Sequence, residues 1–170
     1  MDTSTAFLER ARHYLATEYP TKIRLAVQAL PPAAVWWRPN AGSNSIGNLL
    51  LHLAGNVRQW VVSGVGGDRD DRDRASEFAR RDGLTADELL ATLNASVAAA
   101  DAVLAGLTAG DLGARRTIQG RDVTVFEAVF HVVEHFSMHT GQIILLAKVH
   151  APAAISFYED AGGLAKPVWR

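Results

Sequence analysis

A chain of 170 residues with 48% hydrophobic and 21% charged side chains has the makeup of a single globular domain spanning 1–170. Its 17 basic and 18 acidic residues leave a formal charge of −1, which gives no general pull toward nucleic acid or an anionic membrane. With no cysteine, a disulfide, a thiolate zinc site and a cysteine nucleophile are all excluded.

The first residues, "MDTSTAFLER", lack the basic and apolar regions of a secretory signal. No apolar run stands out as the roughly 20 residues a membrane span needs. A cytoplasmic protein is the default expectation. Residues 5–30 read as a first helix, which Pro20 should kink or divide. "PPAAVWWRPN" (31–40) is a proline-punctuated connection, and a second helix starts near Ser43–Ser45 and runs to about Ser63. In the polar stretch 65–84, "DRDDRDR" (68–74) alternates in sign and reads as a solvated loop.

Thr85 with Glu88 and Thr124 with Glu127 have the form of capping boxes, placing a third helix over 86–106 and a fourth over about 125–149. Between them Gly120 and β-branched neighbours suggest a short ribbon, and a last helical turn is expected around 152–159. Four such helices bury their apolar stripes only against one another, so the expected fold is all-α, a four-helix bundle. Its connections 65–84 and 107–123 are long enough for at least one to cross an end of the bundle.

The chemistry concentrates in "HVVEHFSMHTGQI" (131–143). At about 100° per residue, His135, His139 and Gln142 fall within about 80° of His131, inside an otherwise apolar helix. The second helix repeats the design, with Asn48, His52, Asn56 and Gln59 on one seam of "SIGNLLLHLAGNVRQW". Unpaired polar groups in a dry core cost roughly 1–3 kcal/mol each, so the two seams are expected to face each other. A metal ion best accounts for several imidazoles meeting there. His52 from one helix joins an i,i+4 pair from the other, either His135 with His139 or His131 with His135. Spacing does not choose between the pairs.

Other chemistries fit less well. His131-Val-Val-Glu134-His135 matches the inverted zinc-protease signature, with Glu134 as base, but leaves His139 and His52 without a role. Glu127 and Glu134 lack the histidine three residues on that a di-iron carboxylate bundle uses. Ser43, Ser45 and Ser137 lack a nucleophile elbow. Trp36, Trp37 and Trp60 read as packing residues, and His13 and His150 as ordinary surface or helix-end residues.

The segments "WWRPNAGSNSIGNLLLHLAGNVRQW" (36–60), "RDRASEF" (72–78) and "HVVEHFSMHTGQI" together resemble the DinB/YfiT-like superfamily of metal-binding four-helix bundles, in a bacterial branch of unknown function. The resemblance implies long crossover connections and a divalent metal, commonly zinc or nickel. It implies His52, His135 and His139 as ligands, which leaves His131 as a neighbour or pocket wall. Thr140 stands where many relatives carry an arginine. Characterised relatives include transferases and isomerases dependent on low-molecular-weight thiols, and members often form homodimers. The functional expectation is therefore a metal-dependent enzyme acting on a small molecule, by thiol transfer or hydrolysis. Asn48, Asn56, Glu134 and Gln142 are candidates to orient ligands or substrate. The alternative is a non-catalytic metal- or ligand-binding bundle with a stress or assembly role.

Overall fold

A computed structural model describes residues 2–169. The first rod of the bundle joins α1 (Thr3–His13), a π-helical turn at Tyr14–Glu18 and α2 (Tyr19–Gln28). Asp2 caps it by accepting from the Ser4 and Thr5 N–H groups. Pro20 has no N–H to donate, and the π turn just before it shifts the hydrogen-bond register so that the helix continues past the ring. The proline alters the ladder without ending the rod.

A 3₁₀ turn at Pro32–Trp36 leads to the second rod, α3 (Ile46–Val57), prolonged in π-helical form over Arg58–Val65. Ser45 and Asn48 form a reciprocal capping box at its start. The connection that follows carries a short helix, α4 (Arg74–Ala79), packed on α3. The third rod is α5 (Ala86–Ala105) and the fourth is α6 (Val125–His150), each opened by the expected Thr/Glu box. Between them lies an antiparallel ribbon of β1 (Arg115–Ile118) and β2 (Arg121–Thr124), with Arg115 opposite Thr124. Gln119 and Gly120 turn it with φ of 52° and 72°, the left-handed pair that a tight hairpin requires.

Two expectations are corrected. The helical turn around 152–159 is absent; the chain instead makes a second hairpin, β3 (Tyr158–Asp160) with β4 (Ala165–Pro167). Gly162 and Gly163, both at positive φ, supply the reversal. Ala86–Ala105 does reach the length and mean hydropathy of a membrane span. Alanine raises its hydropathy while adding little apolar area, and the helix lays Leu89, Leu93, Val97, Ala100 and Leu104 against the bundle.

The core sits where α3 meets α5 and α6, and where α6 meets α2. Leu50, Leu53 and Val57 face Leu89 and Leu93 from α5 and Val129, Val132, Phe136 and Ile143 from α6 within one cluster, all fully buried. Tyr19 stacks on Phe136 with ring centroids 5.7 Å apart. At Gly47 a Cβ would come within 2.7 Å of the Trp36 ring, so the glycine lets that indole lie flat on α3 while its Nε1 donates to the Leu84 carbonyl. The shared cluster packs α3 and α6 side by side. Phe136→Ala should therefore cost about 3–5 kcal/mol, read as a lower urea midpoint with an unchanged m-value.

Candidate metal centre

Within this apolar interface α3 and α6 bring three imidazoles to one point. His135 Nε2 lies 3.1 Å from His52 Nε2 and 3.2 Å from His139 Nε2. The ligand atoms of the three residues all fall within 4.8 Å of one another. A tetrahedral zinc ion with nitrogen bonds of about 2.0–2.1 Å sets its ligands about 3.3 Å apart. His52 is 4% exposed and His139 9%.

Neighbouring groups decide which ring nitrogen carries the proton. Gln142 Oε1 accepts from His139 Nδ1 at 2.7 Å, which leaves the His139 Nε2 lone pair free. Glu77 Oε2 lies 2.9 Å from His52 Nδ1. Arg72 Nη2 also lies 3.0 Å from that nitrogen, but it already donates to Glu77 Oε2 at 2.8 Å; since a carboxylate only accepts, the Nδ1–H tautomer is the one that pairs His52 with Glu77, and it leaves Nε2 bare as well. His135 Nε2 faces both lone pairs, and its buried Nδ1 has no hydrogen-bond partner. If Nε2 bears the proton it serves two acceptors while Nδ1 is left with a buried lone pair; if Nδ1 bears it, three lone pairs converge. A cation among the three nitrogens relieves the second arrangement, and this is the chemical fit of the site to a divalent metal.

His131, His135 and His139 are also held toward the neutral form. Burial, followed by the neighbouring rings of His139, His52 and His131 and by Arg72, pushes the His135 pKa down to about 3. Burial likewise lowers His139, with Gln142 opposing it, and lowers His131. Neutral imidazole is the form that binds metal.

Two residues of this site were not singled out by the sequence reading. Arg72 lies in the charge run taken as a solvated loop, yet its side chain is only 4% exposed. Its Nε donates to Glu77 Oε1 at 2.7 Å, its Nη2 to Glu77 Oε2 at 2.8 Å and its Nη1 to Gln59 at 3.0 Å. Burial would raise the Glu77 carboxyl, but hydrogen bonds from Arg72 and His52 outweigh it and hold the pKa below the usual range. The signal available in the sequence was the capped start of α4, where Asp73 accepts from Ser76, placing Glu77 on a helix rather than in a loop.

The other candidates divide. His131 packs at a tilt against Trp60, centroids 4.1 Å apart, and flanks His135 at 5.4 Å. It walls the site and is not among the grouped nitrogens. The H-x-x-E-H reading therefore fails on placement: His139 and His52, not His131, meet His135. Glu134 is exposed and, among the described residues, hydrogen-bonds to none of the rings. Asn48 does not reach the histidines; its Nδ2 donates to the Glu77 and Arg80 carbonyls at 2.7 and 2.9 Å and ties down the end of α4. Asn56 is buried beside the seam, with Oδ1 unpaired. Thr140 turns inward to its own helix, donating to the Phe136 carbonyl. Gln142 also lines a cleft of about 290 Å³ with Ser43, Asn44, Leu49, Leu145 and Leu146.

The model of a family described as "Protein of unknown function (DUF1572)" matches residues 2–155. No curated protein matches the chain. Among solved structures the chain is similar to a DinB-like protein, YjoA, from Bacillus subtilis, with 18% identity, a TM-score of 0.62, and 82% of this chain and 90% of that chain covered. At that identity the likeness carries the fold: this is a DinB-like helical bundle.

The histidine shifts set a pH dependence for the metal-free protein. Each folded-state pKa lies below the unfolded value near 6.5, so the unfolded chain takes up protons first. Stability is full above about pH 6.5 and falls with pH below it, for His135 down to about 3. Thermal midpoints measured in chelator from pH 7 to 4.5 should fall, and His135→Gln should make the decline between pH 6.5 and 5 shallower.

Proposed function

The chain belongs to the DUF1572 family of DinB-like bundles, and from its histidine cluster we propose that it binds one divalent metal ion, zinc or nickel, through His52, His135 and His139 and acts as a metal-dependent enzyme on a small molecule. The observation that carries this reading is the meeting of three imidazole nitrogens with no fourth histidine, aspartate or glutamate in the group among the described residues. Structural zinc sites close with four protein ligands, whereas catalytic sites use three and keep a position open. The bound ion would supply Lewis acidity for activating water or a thiol.

The chain's own residues bind and orient. Gln142 and Glu77 fix the tautomers of His139 and His52, and the walls of the cleft beside Gln142 are neutral, with Leu49, Leu145 and Leu146 as its apolar side. These features favour a small, uncharged or weakly polar substrate, in transfer of a low-molecular-weight thiol to an electrophile or in hydrolysis. A second reading, a non-catalytic metal- or ligand-binding bundle with a stress or assembly role, draws support from the exposed position of Glu134 and from the engagement of both Glu77 oxygens by Arg72 and His52.

Purified protein should contain about one zinc or nickel ion per chain, and His52→Ala should lose it. Metal-loaded protein should turn over either thiol–electrophile pairs or ester and amide panels at rates at least tenfold above the His52→Ala control. Full metal loading with no turnover in either panel would favour the non-catalytic reading. Phe126, Phe130, Met138, Leu145 and Val149 form an exposed apolar stripe along α6, the surface that would support the homodimer implied by family resemblance. Phe130→Lys should convert such a dimer to monomer in sedimentation analysis.

A further inference from the structure

We propose that Glu77, clamped by Arg72, is a positioning residue of the metal site, so that the connection between α3 and α5 completes it. The inference rests on the three-histidine reading above and extends it to a segment that holds none of the ligands. Three independent observations carry it. The first is the bonding: both Glu77 oxygens are taken, Oε1 by Arg72 Nε and Oε2 by Arg72 Nη2 and His52 Nδ1. A proton held on Nδ1 is what directs the Nε2 lone pair of His52 toward His135.

The second is the cost of the arrangement. Taking a carboxylate and a guanidinium out of water is expensive, and a buried ion pair rarely repays it in stability alone. Here the pair is nearly dry, with side-chain exposures of 4% and 9%. The backbone of α3 concedes space for it: a Cβ at Gly55 would overlap Glu77 Oε1 and come within 2.8 Å of Arg72 Nε. A glycine inside a helix costs roughly 0.5–1 kcal/mol against alanine, so this helix forgoes propensity where the carboxylate docks. The third is the anchoring of α4 from the other side, where Asn48 bonds the carbonyls of Glu77 and Arg80 and Arg38 bonds both Asn48 and the Arg80 carbonyl. Phe78, one residue on, packs against the His52 ring at 4.7 Å.

Because Arg72 and Glu77 cancel in charge, the pair orients His52 without adding net charge to the ligand set. That separates positioning from simple electrostatics. Zinc affinity, measured by competition with a chromogenic chelator, should fall about 10–100-fold in Glu77→Gln. It should stay at least tenfold weak in the double variant Glu77→Gln/Arg72→Met, where no stray charge remains. Wild-type affinity in Glu77→Gln, or its recovery in the double variant, would overturn the inference. Failure of the wild-type protein to bind zinc would instead remove the three-histidine reading itself. A measurement needing no substitution guards against misfolding. In zinc-loaded wild-type protein labelled with ¹⁵N-histidine, the His52 ring should carry its proton on Nδ1 with a downfield, slowly exchanging resonance. An unprotonated Nδ1 would equally overturn it.

Discussion

Lone pairs on neighbouring imidazoles repel when they are buried together, and a proton on one of three still leaves the other two competing for it. His52, His135 and His139 meet under that constraint, with Nε2 atoms 3.1 and 3.2 Å apart across the α3–α6 interface. Protonation is resisted, since burial and the adjacent rings hold His135 far below an ordinary histidine. Carboxylate neutralisation is absent from the ring of nitrogens itself, because Glu77 acts one bond further out through His52 Nδ1. Under the proposed function, a divalent cation is the partner that would satisfy geometry and charge together. The tight packing around Phe136, Leu53 and Val132 is what keeps the rods from relaxing apart and dispersing the rings.

Much of this was legible in the chain. The capping boxes at Thr85 and Thr124 mark their helix starts because the signal is local, a side chain answering a backbone group three residues away. The facing of the two polar seams was legible because buried polar groups must find partners, and an apolar helix leaves few places for them. Choosing His139 over His131 was not legible from spacing, as both lie one turn from His135. The structure separates them by what stands opposite: Trp60 covers His131, while His52 reaches the other two.

Arg72 shows where local reading stops. Within "DRDDRDR" its neighbours Asp71, Asp73 and Arg74 are exposed, and nothing in the alternation distinguishes the one side chain that turns inward. Its burial depends on α4 docking against a glycine of a distant helix, a tertiary fact. The purpose of Gly55 emerges only with the carboxylate beside it. The terminal hairpin is a similar case, since it is decided by two glycines in a stretch with little periodicity. The likeness to a DinB-like structure at 18% identity supports the architecture, and the functional reading rests on the site, as fold and activity part readily in such bundles.

Anomalous diffraction from a crystal of the protein soaked in zinc would show whether the three imidazoles share one ion. One strong peak per chain is expected, about 2.0–2.1 Å from the Nε2 atoms of residues 52, 135 and 139, with His52 Nδ1 still on Glu77. Rings pointing to separate places, with no anomalous density among them, would contradict it.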